Sequence, residues 1–227
     1  EALLRIAARS RRWKDAVSIL EQALCRVESD DRLLSFALLG EIATIYDRFL
    51  RDKEMAVEAY RRLLEATDGE LAPHRAAVEA LARLYEEQAD WPRLADILVR
   101  LVVQAESVAA RISHLGRAAR LHEEKLGDPA GAISIWREVR GTEPLDEGAL
   151  QALDRLYVAS GDAASLVEVV KCRVLRASAA GEVAGKRALL LRVAEISERD
   201  LSSLTEAAVA YQEILDFLPE DREGLGA

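Results

Sequence analysis

The chain has 227 residues, half of them hydrophobic and 31% charged, which argues against a disordered chain and leaves room for one large domain or two small ones. A net charge of −9 opposes bulk nucleic-acid binding, and no apolar run nears the ~20 residues that cross a bilayer, so neither nucleic acid nor membrane insertion is expected. Ala and Leu supply about a third of the residues, against 12 Gly and 5 Pro, which favours helix throughout.

Apolar spacing and stop signals predict twelve helices: 2–9, 14–28, 32–50, 53–66, 73–88, 91–106, 109–126, 129–140, 146–160, 163–178, 184–201 and 204–217. In the fifth, Leu81, Leu84, Tyr85 and Gln88 keep to one face. In the sixth, Leu94, Ile97, Leu98, Leu101 and Val102 do the same. Gly127-Asp128-Pro129 closes one helix and opens the next, with Gly past the last turn, Asp as N-cap and Pro in the first turn. Asp90-Trp91-Pro92 has the same cap logic. No stretch alternates long enough for a strand. The loosest links are Asp68-Gly69-Glu70 and Ala179-Ala180-Gly181.

The segments repeat. Leu50-Arg51-Asp52 followed by Ala56, Val57 and Tyr60 recurs further on as Leu126-Gly127-Asp128 with Ala132, Ile133 and Trp136. A third copy, nearly the same interval beyond, runs from Leu201 through Ala207 and Ala208 to Tyr211. A second series interleaves: Leu81-Ala82-Arg83-Leu84-Tyr85 matches Leu153-Asp154-Arg155-Leu156-Tyr157. The period of about 75 residues therefore holds two helical hairpins, and twelve helices make six. The helices before Leu50, Leu126 and Leu201 carry about one extra residue ahead of the turn. Pro219-Glu220-Asp221 resembles the entry to another helix, which suggests a piece of a longer array. One hairpin cannot bury its apolar face alone, so Leu98, Leu101, Ile133, Val170 and Ile214 are expected in a core shared between neighbours. The recurring Trp13, Trp91, Trp136, Tyr60, Tyr85, Tyr157 and Tyr211 are expected to pack between helices.

Chemistry-bearing residues are sparse. His114 and His122 are eight apart, about 12 Å along one helix, too far to share a metal. His74 stands alone. There is no phosphate-binding Gly loop and no nucleophile elbow. No enzyme activity, metal or cofactor is expected. Cys25 and Cys172 match no metal spacing and read as small buried hydrophobes in a reducing, cytoplasmic setting, with the periplasm as the alternative. The absence of Asn and the excess of Arg over Lys suggest a GC-rich bacterial gene.

The hairpins resemble tetratricopeptide repeats. Leu153, Tyr157, Gly161 and Asp162 fit the first half of that pattern. Ala132, Trp136 and Pro144 fit the second half, as do Ala207, Tyr211 and Pro219. Leu81, Ala82, Tyr85, Asp90 and Trp91 fit another copy. Leu94 and Leu166 depart from it, standing where the family has a small residue. The resemblance covers nearly the whole chain. It implies one all-α domain over 1–227, a right-handed superhelix of antiparallel helices whose first helices line a concave side.

On that basis Arg48, Arg83, Glu87, Arg117, Arg120, Glu124, Arg155, Arg192 and Arg199 are expected to face a partner-binding groove. Arg83, Arg120 and Arg155 take equivalent places and would form a row able to grip carboxylates. The implied function is a non-enzymatic scaffold for a protein or peptide, an acidic segment being one candidate; the other reading of the arginines is pairing with neighbouring Glu along the helix. The alternative is a passive spacer within a larger protein. End hairpins with exposed apolar faces would also permit self-association.

Overall fold

The computed structural model describes residues 2–27, 31–66 and 71–220, without the side chains of 2–4 and 71–74. The Asp68-Gly69-Glu70 link, the His74 side chain and the residues after Glu220 lie outside that description. Among the described residues there are twelve α-helices and no strand: α1 (Ala2–Ser10), α2 (Trp13–Leu24), α3 (Arg32–Thr44), α4 (Lys53–Ala66), α5 (Leu71–Glu87), α6 (Trp91–Val103), α7 (Val108–Leu121), α8 (Pro129–Thr142), α9 (Glu147–Ser160), α10 (Ala163–Ala179), α11 (Val183–Arg199) and α12 (Leu204–Phe217). The chain divides into two compact units, Glu1–His114 and Leu115–Ala227. In the first, α1 to α6 pack in series, each on the next. In the second, α8 to α12 do the same.

Asp residues start many of these helices. Asp31, Asp90, Asp128, Asp146 and Asp162 each accept a hydrogen bond from the amide three residues on, at 2.8–3.3 Å. That satisfies one of the donors a helix N-terminus leaves open. At Asp128 the cap is shared with His122, whose Nδ1 lies 2.9 Å from the carboxylate. The cap needs Gly131: a Cβ there would overlap the Asp128 carboxylate and lie 2.7 Å from His122 Nδ1.

The extra residue expected before three of the turns has a physical form. α3 runs into a π-helical turn over Ile45–Leu50, and α7 into another over His122–Leu126. The amides of Asp52, Asp128 and Ser203 then donate six residues back, to Tyr46, His122 and Ser197, at 2.8–3.0 Å. In the alternate hairpins, Asp90 and Asp162 donate only five residues back, to Tyr85 and Tyr157. The period therefore joins two hairpins that differ by one residue in a helix-ending turn. Widening the last turn absorbs that residue without moving the next helix start.

Between the helices lie the expected side chains. Leu98, Val170 and Ile214 are fully buried, with Leu101, Tyr60, Tyr85, Trp136 and Tyr157 nearly so. Ile133 is half-buried, because it sits at the edge of the α8 face formed by Ala132, Trp136 and Val139. Trp13, Trp91 and Tyr211 are also half-buried, and Trp13 stacks on Phe49 with ring centroids 3.9 Å apart. Leu94 and Leu166 are buried despite their bulk, so neighbouring side chains accommodate them. The cysteines depart from expectation: Cys25 is exposed and Cys172 half-buried. Cys25 is the C-cap of α2, one position past the packed turns, so its thiol leaves the apolar face.

Candidate interaction surface

The expected groove residues fall in both units. In the first, Arg83 on α5 pairs with Asp47 on the π-helical turn and, at 2.8 Å, with Glu87. Lys53 at the start of α4 reaches Glu87 at 2.9 Å. Arg48 is exposed on that same turn. In the second unit, Arg155 on α9 grips Glu123 through Nε at 3.1 Å and Nη2 at 2.7 and 2.9 Å. Arg117 on α7 is half-buried, whereas Arg120 and Glu124 are exposed.

Arg83 and Arg155 thus share a device. Each reaches from the first helix of one hairpin to a carboxylate on the π-helical turn that ends the first helix of the hairpin before. The two carboxylates, Asp47 and Glu123, stand one full period apart in the sequence. Their side chains keep only 11% and 20% of their surface exposed, whereas the arginines keep 47% and 64%. The arginines bind neighbouring hairpins together and still present an edge to solvent.

Arg192 and Arg199 are brought together. A groove of about 540 Å³ runs between α9 and α11. Its apolar wall is Tyr157, Leu166 and Ile196, with the exposed Val158 beside them. Arg192, Arg199, Glu195 and Asp200 give it charge. Arg199 bonds to its neighbour Asp200 at 2.9 and 3.0 Å. That pairing holds the Asp200 carboxyl below its ordinary range and pushes the guanidinium up. Arg137 of α8 donates to the Tyr157 hydroxyl at 2.8 Å and so fixes the ring in the wall.

Arg192 is anchored from beneath. It donates to both oxygens of Asp154 at 2.7 and 2.5 Å, and Arg173 of α10 pairs with the same carboxylate. Asp154 is one of two buried polar residues among those described, the other being Ser197. Burial pushes its carboxyl up, but the hydrogen bonds and charges of Arg192 and Arg173 outweigh that and hold it below the ordinary aspartate value. Sequence reading passed over Asp154, Arg173 and Arg137. A signal for Asp154 existed: it stands where the matching segment has Ala82, inside the apolar run Leu150, Leu153, Tyr157.

Residues 77–110, which hold most of α5 and all of α6, match the tetratricopeptide-repeat family model. That segment is similar to a tetratricopeptide repeat. The hairpins α3–α4, α9–α10 and α11–α12 are built on the same plan of two packed antiparallel helices. No curated protein matches the chain. Among solved structures it is similar to nearly identical TPR-like repeats from a Podosopora anserina protein provisionally assigned as a kinesin light chain, at 20% identity and TM-score 0.42, covering 78% of this chain and 93% of that one. It is similar to a chain of the Naa15/Naa10 complex bound to HypK-THB at 16% identity and TM-score 0.48, covering 98% and 37%. It is also similar to Acl4, an assembly chaperone of RpL4, at 12% identity and TM-score 0.39, covering 98% and 92%. No group of three or more His, Cys, Asp or Glu among the described residues could hold a metal ion. No described helix is long and apolar enough to cross a membrane.

Proposed function

We propose that this repeat protein is a non-enzymatic scaffold that holds an extended, acidic segment of a partner protein in the groove between α9 and α11. The observation that carries this reading is the joining of an open apolar wall to arginine in one groove. Val158 is 56% exposed, next to Tyr157 and Ile196, with Arg199 at the rim. A partner carboxylate meeting Arg199 would replace Asp200, while an aliphatic side chain covers Val158. Arg192, held on Asp154, keeps its geometry before a ligand arrives, which lowers the ordering cost of binding. Arg120 and Arg155 belong to the same unit and extend the proposed surface, Arg155 through the edge its ion pair leaves exposed. Arg83 offers the same exposed edge in the first unit.

A peptide array with Asp/Glu-rich and Lys-rich segments, probed with the whole chain, tests this. The expected result is selective capture of acidic segments that carry aliphatic residues, weakened in the folded variants Val158→Glu and Arg199→Glu. Equal capture of acidic and basic peptides, or binding indifferent to both substitutions, would sink it. The second reading, a passive spacer, draws on the ion pairs Arg83–Asp47 and Arg155–Glu123, which tie hairpin to hairpin. It predicts no selective capture. Self-association through α12, where Leu204 and Val209 are exposed, predicts instead a mass that rises with concentration and falls in Val209→Glu.

A further inference from the structure

The first unit has a groove lined by none of the expected partner-binding residues. It lies between α4 and α6, with α5 beneath it, and its volume is about 540 Å³. Leu64, Tyr85 and Ile97 are all buried there, and Arg61, Arg93 and Arg100 stand around them. Its lining carries three guanidiniums and two carboxylates, Glu65 and Asp96, with Glu58 and Asp90 beside Arg61 and Arg93 at its edge.

The guanidiniums are underused. Arg100 has no ion pair or side-chain hydrogen bond among the described residues and lies in the last turn of α6. Arg61 has carboxylates only at 3.6 and 3.9 Å, outside hydrogen-bond reach. Arg93 spends one nitrogen on Asp90, the N-cap of its own helix. A guanidinium has five N–H donors, so most of the donors here are available. Burial pushes the Tyr85 phenol up; the charges of Arg61 and Arg93 act against that, and those of Asp90 and Glu58 add to it.

We propose that the α4–α6 groove is a second peptide-binding site, which takes a segment of alternating acidic and aliphatic residues. The carboxylates meet Arg61, Arg93 and Arg100. The aliphatic side chains lie on Leu64 and Ile97, over the edge of the Tyr85 ring. Glu65 and Asp96 oppose a compact dianion such as phosphate. An extended peptide spaces its charges and avoids them. The site is separate from the α9–α11 groove and does not rest on it.

The test uses a short capped, fluorescein-labelled peptide of alternating Glu and Leu, with anisotropy read at low salt. It is run on the whole chain carrying Val158→Glu and Arg199→Glu, so that the α9–α11 groove does not contribute. Binding is expected there, and Arg61→Glu with Arg100→Glu should weaken it at least about tenfold, as the loss of one charge-assisted hydrogen bond or more implies. Arg100→Gln, a milder change at an exposed position, should weaken it by a smaller factor, and circular dichroism should show all variants folded. Added salt should weaken binding by screening. The proposal is overturned if the peptide does not bind, if its Lys-for-Glu counterpart binds as well, if inorganic phosphate displaces it at equal concentration, or if the folded Arg variants bind unchanged.

Discussion

At Asp154 the chain places a carboxylate where the matching segment has alanine, and the protein then needs two arginines to hold it. Removing the carboxylate leaves Arg173 and Arg192 facing each other with about a third of each side chain exposed. Breaking a buried pair from one side costs about 3–5 kcal/mol, and partial exposure of the arginines lowers the expectation for Asp154→Ala to about 2–3 kcal/mol. Urea denaturation at neutral pH measures it. The pH dependence has a definite sign. The folded-state pKa of Asp154 is depressed, so its contribution is complete above the ordinary aspartate value of about 3.9 and is lost as pH falls through the lower folded value. Asp128 and Asp162 are depressed too, Asp128 first by the Gly131 amide and Asp162 first by Ser165. Stability is therefore expected to fall below about pH 4, and less steeply in Asp154→Asn. Equal slopes for the two proteins would remove Asp154 from the account. Only the place of Asp154 inside an apolar run was legible; its two arginine partners were not. Arg83 and Arg155 read as members of a row with Arg120, and a single sequence does not say which carboxylate each long side chain reaches.

The turns carry most of what the elements have to say. Arg51, Gly127 and Ser202 hold equivalent places and share a positive φ of 53–62°, as do Ala89 and Gly161 at 55° and 71°. A left-handed backbone costs a residue with a Cβ roughly 1–2 kcal/mol, and glycine returns about 0.5–1 kcal/mol of that through its freer unfolded state. Ala89→Gly is therefore expected to raise stability by up to about 1 kcal/mol, and Gly161→Ala to lower it by about 1 kcal/mol. No atom lies within 4 Å of a Cβ built at Gly161, so backbone strain alone sets the sign. Thermal melting of both variants checks it, and a shift in the same direction for the two would refute the equivalence of these turns. Helix starts were readable because Asp, Pro and apolar spacing act locally. Helix ends were less so: α2 stops at Leu24 and α6 at Val103, short of the expected 28 and 106. Their apolar pattern runs on past the last hydrogen-bonded turn, and only packing decides where it stops counting.

Within each unit, α1 to α6 and α8 to α12 each pack on the next helix in the chain, so those cores are assembled from near neighbours in sequence. Leu98 is fully buried on α6, and Leu98→Ala is expected to cost about 2–5 kcal/mol through lost burial and the cavity left behind. Hydrogen exchange should show faster opening of α5 and α6. Protection unchanged in both helices would place Leu98 outside the shared core. Helix content, the two-hairpin period, the cap positions and the core face all follow from the sequence alone, because they rest on local propensity and on spacings shorter than a hairpin. The tertiary structure decided the rest: the division at His114, the clasp of Arg155 on Glu123, the buried Asp154 between two arginines, and the gathering of Arg61, Arg93 and Arg100 around Tyr85. Those features join residues that are distant along the chain, and long charged side chains choose partners by distance and burial, which exist only once the helices have packed.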